Sequence, residues 1–212
     1  MENRALKVLS PMNNKVSLKI IPGHFATGYS HINLYLDMTS MKTRLNEAKE
    51  AAKTMAKFIK NDTFVDTIVC MDGCEVLGGF LASELSKAGI LSMNTHKTIY
   101  IISPEYLNGQ LIFRDNNLSA VNKKHILLLV ASVTTGITVR KSIECINYYG
   151  GNIESITAIF SVQDNVMDIP VYSIFKSKDL PDYKHYKISD CPFCQSNQKI
   201  EAIVNGYGYT KL

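Results

Sequence analysis

Short apolar runs alternate with amphipathic helical patterns through the middle of the chain, and this alternation leaves few folds open to it. The runs FVDTIVCM at 64–71 and HILLLVA at 125–131 are continuous, as expected for strands buried on both faces of a sheet. The segment TRLNEAKEAAKTMAKFIK at 43–60 repeats apolar residues at helical spacing. Because parallel strands need a crossover between them, we predict an α/β fold with three layers and a mostly parallel central sheet.

The other elements continue the same pattern. Further strands are expected near 16–21, 32–38, 98–102, 155–162 and 170–175, a hairpin arm at 111–113, and helices within 72–89 and at 137–149. This order predicts three segments, which are a small N-terminal hood at 1–42, an α/β core at 43–175 and a C-terminal tail with a C-x-x-C motif at 176–212.

Composition and charge narrow the class of protein. Hydrophobic residues make up 46% and charged residues 20% of the 212, as in ordinary globular proteins. The net charge of +4 comes from scattered lysines, so no nucleic-acid partner is expected. No run approaches the roughly 18 apolar residues of a membrane span, and the N-terminal segment lacks the apolar core of a signal peptide. Five cysteines, an odd number, fit a reducing compartment, so we expect a cytoplasmic protein with no membrane partner.

Two loops follow buried strands at the edge of the sheet where α/β proteins bind ligands: MDGCEVLGG at 71–79 and ASVTTGIT at 131–138. In the second loop, hydroxyl side chains surround a glycine at the start of a helix, whose free N–H groups and dipole favour a phosphate. The candidate phosphate-binding residues are Thr134, Thr135, Gly136, Ile137 and Thr138. A plainer alternative is that Thr134 only caps the helix.

The second loop resembles the signature of the type I phosphoribosyltransferases, which bind phosphoribosyl pyrophosphate (PRPP). That signature has four apolar residues, two acids, two small or aliphatic residues and then T-T-G-x-T. Here Ile126 to Leu129 match the apolar run, and Thr134 to Thr138 match the last part, which the resemblance implies grips the 5′-phosphate. The first loop is similar to the family's pyrophosphate loop, with Asp72, Gly73, Cys74 and Glu75.

Other stretches are similar to the orotate branch of that family. TGYSHINLYLD at 27–37 resembles its hood pattern, with Tyr35 and Asp37 in place, although it is one residue longer. Lys97 is a candidate pyrophosphate contact by the same resemblance, and an ordinary solvated lysine otherwise. The resemblance implies transfer of ribose 5-phosphate from PRPP to a nucleobase, Mg²⁺ as cofactor and a homodimer.

The chain departs from the signature where the two acids would lie, at Val130 and Ala131. Those acids hold the ribose hydroxyls in the family, and neither replacement can do so. Three explanations stay open. Asp72, Glu75 or Asp164 takes over this role in an enzyme; the protein binds PRPP or a nucleoside monophosphate without turnover, as a regulator; or only the fold is retained.

The ends of the chain hold further candidates. Cys191 and Cys194 form half of a zinc site, with the other ligands from His185, another cysteine or a second subunit, or else a pair of thiols that fixes the tail. In the hood, polar and aromatic side chains suit a flat heterocycle or merely a hydrogen-bonded cap; these are His24, Tyr29, His31, Asn33 and Tyr35. The last residues, NGYGYTKL, are suited to covering a subunit interface or a pocket.

Overall fold

A computed structural model describes residues 2–59, 63–87, 94 and 98–212. The strands in these ranges are β1 (Leu6–Ser10), β2 (Asn13–Ala26), β3 (His31–Asp37), β4 (Thr67–Cys70), β5 (Tyr100–Ile102), β6 (Glu105–Leu107), β7 (Gln110–Ile112), β8 (His125–Val133), β9 (Asn152–Ser161), β10 (Asn165–Val166), β11 (Ile169–Lys176), β12 (His185–Tyr186), β13 (Ala202–Asn205) and β14 (Gly208–Lys211). The α-helices are α1 (Thr39–Thr43), α2 (Leu45–Ala56), α3 (Glu75–Lys87), α4 (Ile137–Tyr148) and α5 (Pro192–Gln195).

The central sheet has the strand order β10-β11-β9-β8-β4-β5. Strands β11, β9, β8, β4 and β5 are parallel, and only the short edge strand β10 is antiparallel to its neighbour. All four residues of β4 are buried, as are the apolar residues in the middle of β8. Helices therefore cover both faces of these strands, and the predicted α/β fold with a mostly parallel central sheet is confirmed.

Two apolar layers fill the space on the two faces of this sheet. On one face, α2 and α3 contribute Met55, Leu77 and Leu81 to a core that the hood strands β2 and β3 also enter. On the other face, Val139 and Ile143 of α4 pack against β8 and β9. The helical spacing that predicted these helices is thus the spacing of their buried residues.

The hood and the tail form one second sheet, with the order β12-β3-β2-β13-β14 and with β1 on β2. Strand β13 runs parallel to β2, where Ala202 pairs with Phe25 and Ile203 with Ala26. The segments 1–42 and 176–212 were expected as separate additions to the central sheet. The pairing could not be foreseen, because the sequence contains no signal for contacts between strands that lie so far apart along the chain.

Two predicted element boundaries were wrong. The helix expected at 43–60 is split, because Arg44 is extended (φ −101°, ψ 131°) and ends α1 before α2 begins. The residue at the N-cap of α2 is Arg44, and its side chain makes no cap hydrogen bond. The strand expected at 16–21 is longer and covers the whole of β2. The register of β2 against β3 shifts between Pro22 and Phe25, which interrupts the alternation of buried and exposed residues there.

Within the described ranges, no helix combines the length and the apolar character needed to cross a bilayer.

Candidate functional site

A cavity of about 350 Å³ opens at the carboxyl ends of β4 and β8. Most of its lining comes from the hood turn 27–30, the segment 32–42, the loop 131–139 and the tail turn 204–208, and Asp72 adds to it. Tyr106 of the β6–β7 hairpin and Tyr183 of the tail complete part of the wall. The cavity is therefore enclosed by the central sheet on one side and by the sheet of hood and tail strands on the other.

All five predicted phosphate-binding residues, 134 to 138, line this cavity. Gly136 precedes the first residue of α4 and has φ +77°, the left-handed conformation that glycine adopts most easily. The Thr134 hydroxyl makes no cap hydrogen bond to this helix and lies against the Tyr183 hydroxyl instead, so the alternative in which Thr134 caps the helix is wrong. The Ile137 N–H donates only a long hydrogen bond of 3.5 Å to the Thr135 hydroxyl. Because the first N–H groups of a helix have no partner inside the helix, those of Thr138 and Val139 are available to a ligand in the cavity.

Two residues that the sequence did not point to hold this loop in place. The amide Nε2 of Gln163 donates a hydrogen bond to the carbonyl of Thr134 at 2.8 Å. The hydroxyl groups of Thr134 and Tyr183 lie 3.3 Å apart. Burial raises the pKa of the Tyr183 phenol, so this group stays protonated and able to donate. Gln163 follows β9 and Tyr183 lies in the tail, and neither belongs to a motif.

Asp72 is the one acidic residue among the described residues that line the cavity. Its backbone is left-handed (φ 58°), and its Oδ2 accepts a hydrogen bond from the Ala131 N–H at 3.4 Å. Burial raises the pKa of its carboxyl, and the Ala131 N–H and Lys42 partly oppose this. Of the three acids proposed to replace the missing pair, only Asp72 is therefore in a position to meet a ligand there.

The other predicted acids and loop residues lie outside the cavity lining. The carboxylate of Glu75 accepts a hydrogen bond from the Ser103 hydroxyl, and that of Asp164 pairs with Lys176. Cys74 is fully buried in the core. Gly73 is also absent from the lining, so the predicted pyrophosphate loop presents only its first residue, Asp72, to the cavity.

Lys42 is the one basic side chain among the described lining residues, and it was not among the residues predicted from the sequence. It is 4% exposed, and its Nζ donates hydrogen bonds to the carbonyls of Asp72 and Gly206. The signal was available, because Met38, Met41 and Lys42 share one face of α1 and two of the three are apolar. A lysine on a buried helical face needs partners for its charge, and these are the two carbonyls.

The tail packs tightly against Asp72. A Cβ atom at Gly206 would lie 2.3 Å from the Cγ of Asp72, so only glycine fits there. The Tyr207 ring lies beside Gly73, and the Nζ of Lys42 is 5.9 Å from the centre of that ring. Of the two roles considered for the last residues, these contacts favour covering the cavity.

The two residues at the positions of the missing acids face opposite sides of β8. Val130 is 1% exposed and packs in the α4 layer of the core. Ala131 contributes to the opposite layer and also lines the cavity. An acid at 131 would thus reach the cavity, whereas an acid at 130 would be buried among apolar side chains.

The hood residues divide between two places. Tyr29 and Tyr35 line the cavity, and Tyr35 is 4% exposed. Asp37 lies outside the lining, where it pairs with Lys19 and accepts a hydrogen bond from the Thr39 N–H.

The remaining hood residues do not join these two tyrosines. The Asn33 side chain binds backbone groups of Asp182 and Lys184, and His24 and His31 point to the cysteines of the tail. The predicted heterocycle cluster of five residues is therefore wrong as a single site. Lys97, the predicted pyrophosphate contact, lies outside the described residues.

Cys191 and Cys194 lie beside the two hood histidines, His24 and His31. His185, the histidine considered as a partner for these cysteines, is exposed in β12 and is not part of the group. The histidines nearest to the two cysteines are thus His24 and His31, because the pairing of the hood with the tail brings together residues about 165 apart in sequence.

No protein-family model and no curated protein sequence matches the chain. Several solved structures, however, are similar to the chain. UMP synthase from Leishmania donovani is similar over 84% of this chain and 36% of its own, at 16% identity and a TM-score of 0.57. This chain thus spans about a third of the length of that protein.

Two further structures are similar over more of their own length. Orotate phosphoribosyltransferase from Mycobacterium tuberculosis, in complex with PRPP, matches 69% of this chain and 82% of its own, at 10% identity and a TM-score of 0.52. Adenine phosphoribosyltransferase from Rhodothermus marinus matches 82% and 95%, at 10% identity and a TM-score of 0.51. The parallel sheet, the hood and these neighbours together show that the chain has the fold of the type I phosphoribosyltransferases.

Proposed function

We propose that the cavity binds the ribose 5-phosphate part of PRPP or of a nucleoside monophosphate, with the phosphate on residues 134–138. The observation that carries this proposal is the position of the loop, which opens into the cavity at the first turn of α4. Backbone N–H groups at a helix N-terminus, threonine hydroxyls and the helix dipole all favour a dianionic group. The left-handed glycine lets a phosphate approach the backbone closely.

The charges around the cavity support an anionic ligand that also carries a metal ion. Lys42 supplies a positive charge in the cavity lining, where its Nζ donates to the Asp72 carbonyl. Asp72 supplies one carboxylate, which suits Mg²⁺, since Mg²⁺ in proteins uses one or two carboxylates together with phosphate oxygens. When bound with PRPP, Mg²⁺ neutralises charge on the pyrophosphate leaving group.

We further propose that the protein is a PRPP-dependent phosphoribosyltransferase. In such a reaction the bond from the ribose C1 to pyrophosphate breaks and a bond from C1 to a nucleobase nitrogen forms. The chain would contribute positioning and electrostatics, which are the main sources of rate in this kind of transfer. The phosphate loop would fix the sugar, the Asp72 carboxylate would lie near it, and Tyr29 and Tyr35 line the hood side of the cavity, where a base would stack. By the same family resemblance, a homodimer is proposed.

A second candidate function is a non-catalytic PRPP- or nucleotide-binding regulator. Ala131 favours it, because a methyl group lines the cavity where the family signature has an acid. Hydrogen bonds to a charged group contribute roughly 1.5–3 kcal/mol each, so loss of the family's two carboxylates weakens the hold on the ribose by about 10²–10⁴. Such a loss reduces catalysis more than it reduces binding of the phosphate.

Release of pyrophosphate separates the two functions. The chain is incubated with PRPP, Mg²⁺ and a panel of bases that includes orotate, uracil, adenine, guanine and hypoxanthine. A transferase releases pyrophosphate with one of these bases and forms the matching nucleoside monophosphate. Binding of PRPP without pyrophosphate release for any base identifies the regulator, and absence of both contradicts the proposed function altogether.

Asp72→Asn should separate ligand binding from stability. Asparagine tolerates the left-handed backbone and keeps an acceptor for the Ala131 N–H, so the loop should retain its shape. Loss of the carboxylate should reduce Mg²⁺-dependent binding of PRPP by roughly ten- to a hundredfold, measured by calorimetry with and without Mg²⁺.

The pH dependence of unfolding gives a second readout for this variant. Because burial raises the pKa of Asp72, the native chain loses stability as the pH rises from the unfolded-state pKa, about 3.9, through the folded-state value. Asp72→Asn should lack this loss. Asp164→Asn, which changes an exposed acid outside the cavity, is the control and should bind PRPP as the native chain does. Equal PRPP affinity in both variants would refute the role given to Asp72.

A further inference from the structure

Four side chains with metal-binding groups meet outside the cavity lining: His24, His31, Cys191 and Cys194, here called the His–Cys cluster. One ligand atom from each lies within 4.8 Å of the others. His24 and Cys191 are fully buried, and His31 is 5% exposed. Only Cys194 reaches the surface. Two imidazoles and two thiols that converge in this way, three of them buried, form the set of ligands that structural zinc sites use.

Most of the distances known within the His–Cys cluster are close to those of a tetrahedral zinc site. The His24 Nε2 lies 3.0 Å from the His31 Nδ1, 3.5 Å from the Cys191 Sγ and 3.7 Å from the Cys194 Sγ. The Cys194 Sγ lies 3.3 Å from the His31 Nδ1. Zinc bound to sulfur at about 2.3 Å and to nitrogen at about 2.0–2.1 Å separates tetrahedral ligand atoms by roughly 3.3–3.8 Å. Three of these four distances fall in that range, the two nitrogens lie closer together, and the remaining pairs lie within 4.8 Å, so small side-chain movements bring all four atoms to bonding distance of one ion.

The surroundings orient the His24 ring as a ligand. Its Nδ1 lies 2.9 Å from the carbonyl of Gln198, to which this nitrogen can only donate. The lone pair of the neutral ring is then on Nε2, which faces the cluster. The Phe193 ring packs against the His24 ring at 5.2 Å between centroids and shields it from solvent. Histidine ligands of metals usually make such a hydrogen bond with their second ring nitrogen, and here it is the one from the His24 Nδ1 to the Gln198 carbonyl.

The backbone of the cysteine motif also suits a metal. Cys191 precedes α5 and Cys194 lies within it, so the two thiols project from one short turn. The Gln195 N–H donates to the carbonyl of Cys191 and the Asn197 N–H to that of Cys194, which fixes the turn. The C-x-x-C spacing is the one found in structural zinc sites of the Cys₂His₂ class.

We propose that the His–Cys cluster binds one Zn²⁺ with Cys191, Cys194, His24 and His31 as its four ligands. Four protein ligands leave no open position for water or substrate, so the site is structural. Thiolate and imidazole ligands together select zinc over Mg²⁺ or Ca²⁺, which prefer oxygen.

The proposed zinc joins the hood to the tail. His24 lies in β2 and His31 begins β3, whereas both cysteines lie in the tail. Next to the cluster, the Glu201 N–H donates to the carbonyl of His24 at 2.8 Å, and β13 then runs beside β2 towards the turn 205–208 that lines the cavity. Zinc at this place therefore fixes the tail wall of the cavity, and its loss should loosen that wall.

Metal content tests the proposal directly. The full chain, purified with a reductant and with zinc in the medium, should contain about one zinc per chain by mass spectrometry of the metal. Cys194→Ser should fall below half of that content, because serine is a poor zinc ligand. Cys145→Ser is the control, since that half-buried thiol donates to the carbonyl of Leu111 outside the cluster, and it should keep the full content.

Two further measurements cover the case in which Cys194→Ser fails to fold. Cobalt added to the native apo chain should give the strong visible absorption of tetrahedral Co²⁺ together with a thiolate-to-cobalt band in the near ultraviolet. Chelation of the metal from the native chain should lower the unfolding midpoint by roughly 5–10 °C and expose the tail to protease. A folded, reduced chain without zinc and without the cobalt spectrum would overturn the proposal, as would a disulfide between Cys191 and Cys194 in the freshly isolated protein.

Discussion

A Lys42→Met variant should unfold roughly 5–15 °C below the native chain and should also bind phosphorylated ligands about tenfold more weakly. The stability loss follows from two hydrogen bonds of a buried ammonium group, to the carbonyls of Asp72 and Gly206. Their loss should cost about 2–4 kcal/mol, and each kcal/mol shifts the midpoint by about 2–4 °C in a chain of this size. Methionine fills the space of the lysine stem, so the change isolates the charged group.

The matched control for this variant is Lys53→Met. The Lys53 side chain is 41% exposed and pairs with Glu50 on the surface of α2, where an ion pair contributes about 0.5 kcal/mol or less. We expect its unfolding midpoint and its affinity for PRPP, measured by scanning calorimetry and titration calorimetry, to stay close to the native values. If the two variants have the same unfolding midpoint, the hydrogen bonds of Lys42 to the carbonyls of Asp72 and Gly206 do not stabilise the fold as described.

Gly136→Ala should reduce the affinity for PRPP by tenfold or more. Alanine at φ +77° costs about 1–2 kcal/mol of backbone strain, and its Cβ would lie 3.1 Å from the Oε1 of Gln163. Gln163 in turn holds the carbonyl of Thr134, so relief of the contact displaces the loop itself. A displacement of about 1 Å at a binding group can cost up to a hundredfold in function.

Gly109→Ala separates strain from ligand binding. Gly109 has a similar φ of +82° in the turn between β6 and β7, and a Cβ there meets nothing within 4 Å. Both variants should lose about 1–2 kcal/mol of stability in denaturant titrations, since both carry a left-handed alanine. Only Gly136→Ala should lose PRPP affinity. A similar loss of affinity in both variants, or in neither, would contradict the role of the loop.

The five parallel strands of the central sheet could be predicted because each of them is marked locally, whereas the two-residue edge strand β10 was not. The run at 126–131, which forms most of β8, is apolar throughout, and a helix with one apolar face follows it. The loop at 134–138 was predictable for the same reason, since its threonines and glycine are contiguous and lie between two recognisable elements. Local pattern and local structure agree there.

The remainder depends on contacts between distant segments. The residues around His24 do not predict its contact with Cys191, because that contact follows from the pairing of β13 with β2. Lys42 shares an apolar helical face, but its partners, the carbonyls of Asp72 and Gly206, belong to segments 30 and 164 residues away, which the sequence does not indicate.

The consequences of the missing acids also depend on packing, which the sequence does not indicate. Val130 is buried in the core and Ala131 lines the cavity. A single acid at position 131 is therefore the change that could restore a carboxylate to the cavity, whereas the pair would place a charge in the core.

The most direct test of the proposed phosphate site is a comparison of nucleoside monophosphates with the corresponding nucleosides. Titration calorimetry with UMP and uridine, and with AMP and adenosine, isolates the contribution of the 5′-phosphate, since each pair differs only there. The loop at 134–138 predicts that at least one monophosphate binds tenfold or more tightly than its nucleoside, and that Gly136→Ala removes this difference while Gly109→Ala retains it. Equal affinities within both pairs, or a difference that survives Gly136→Ala, would contradict it.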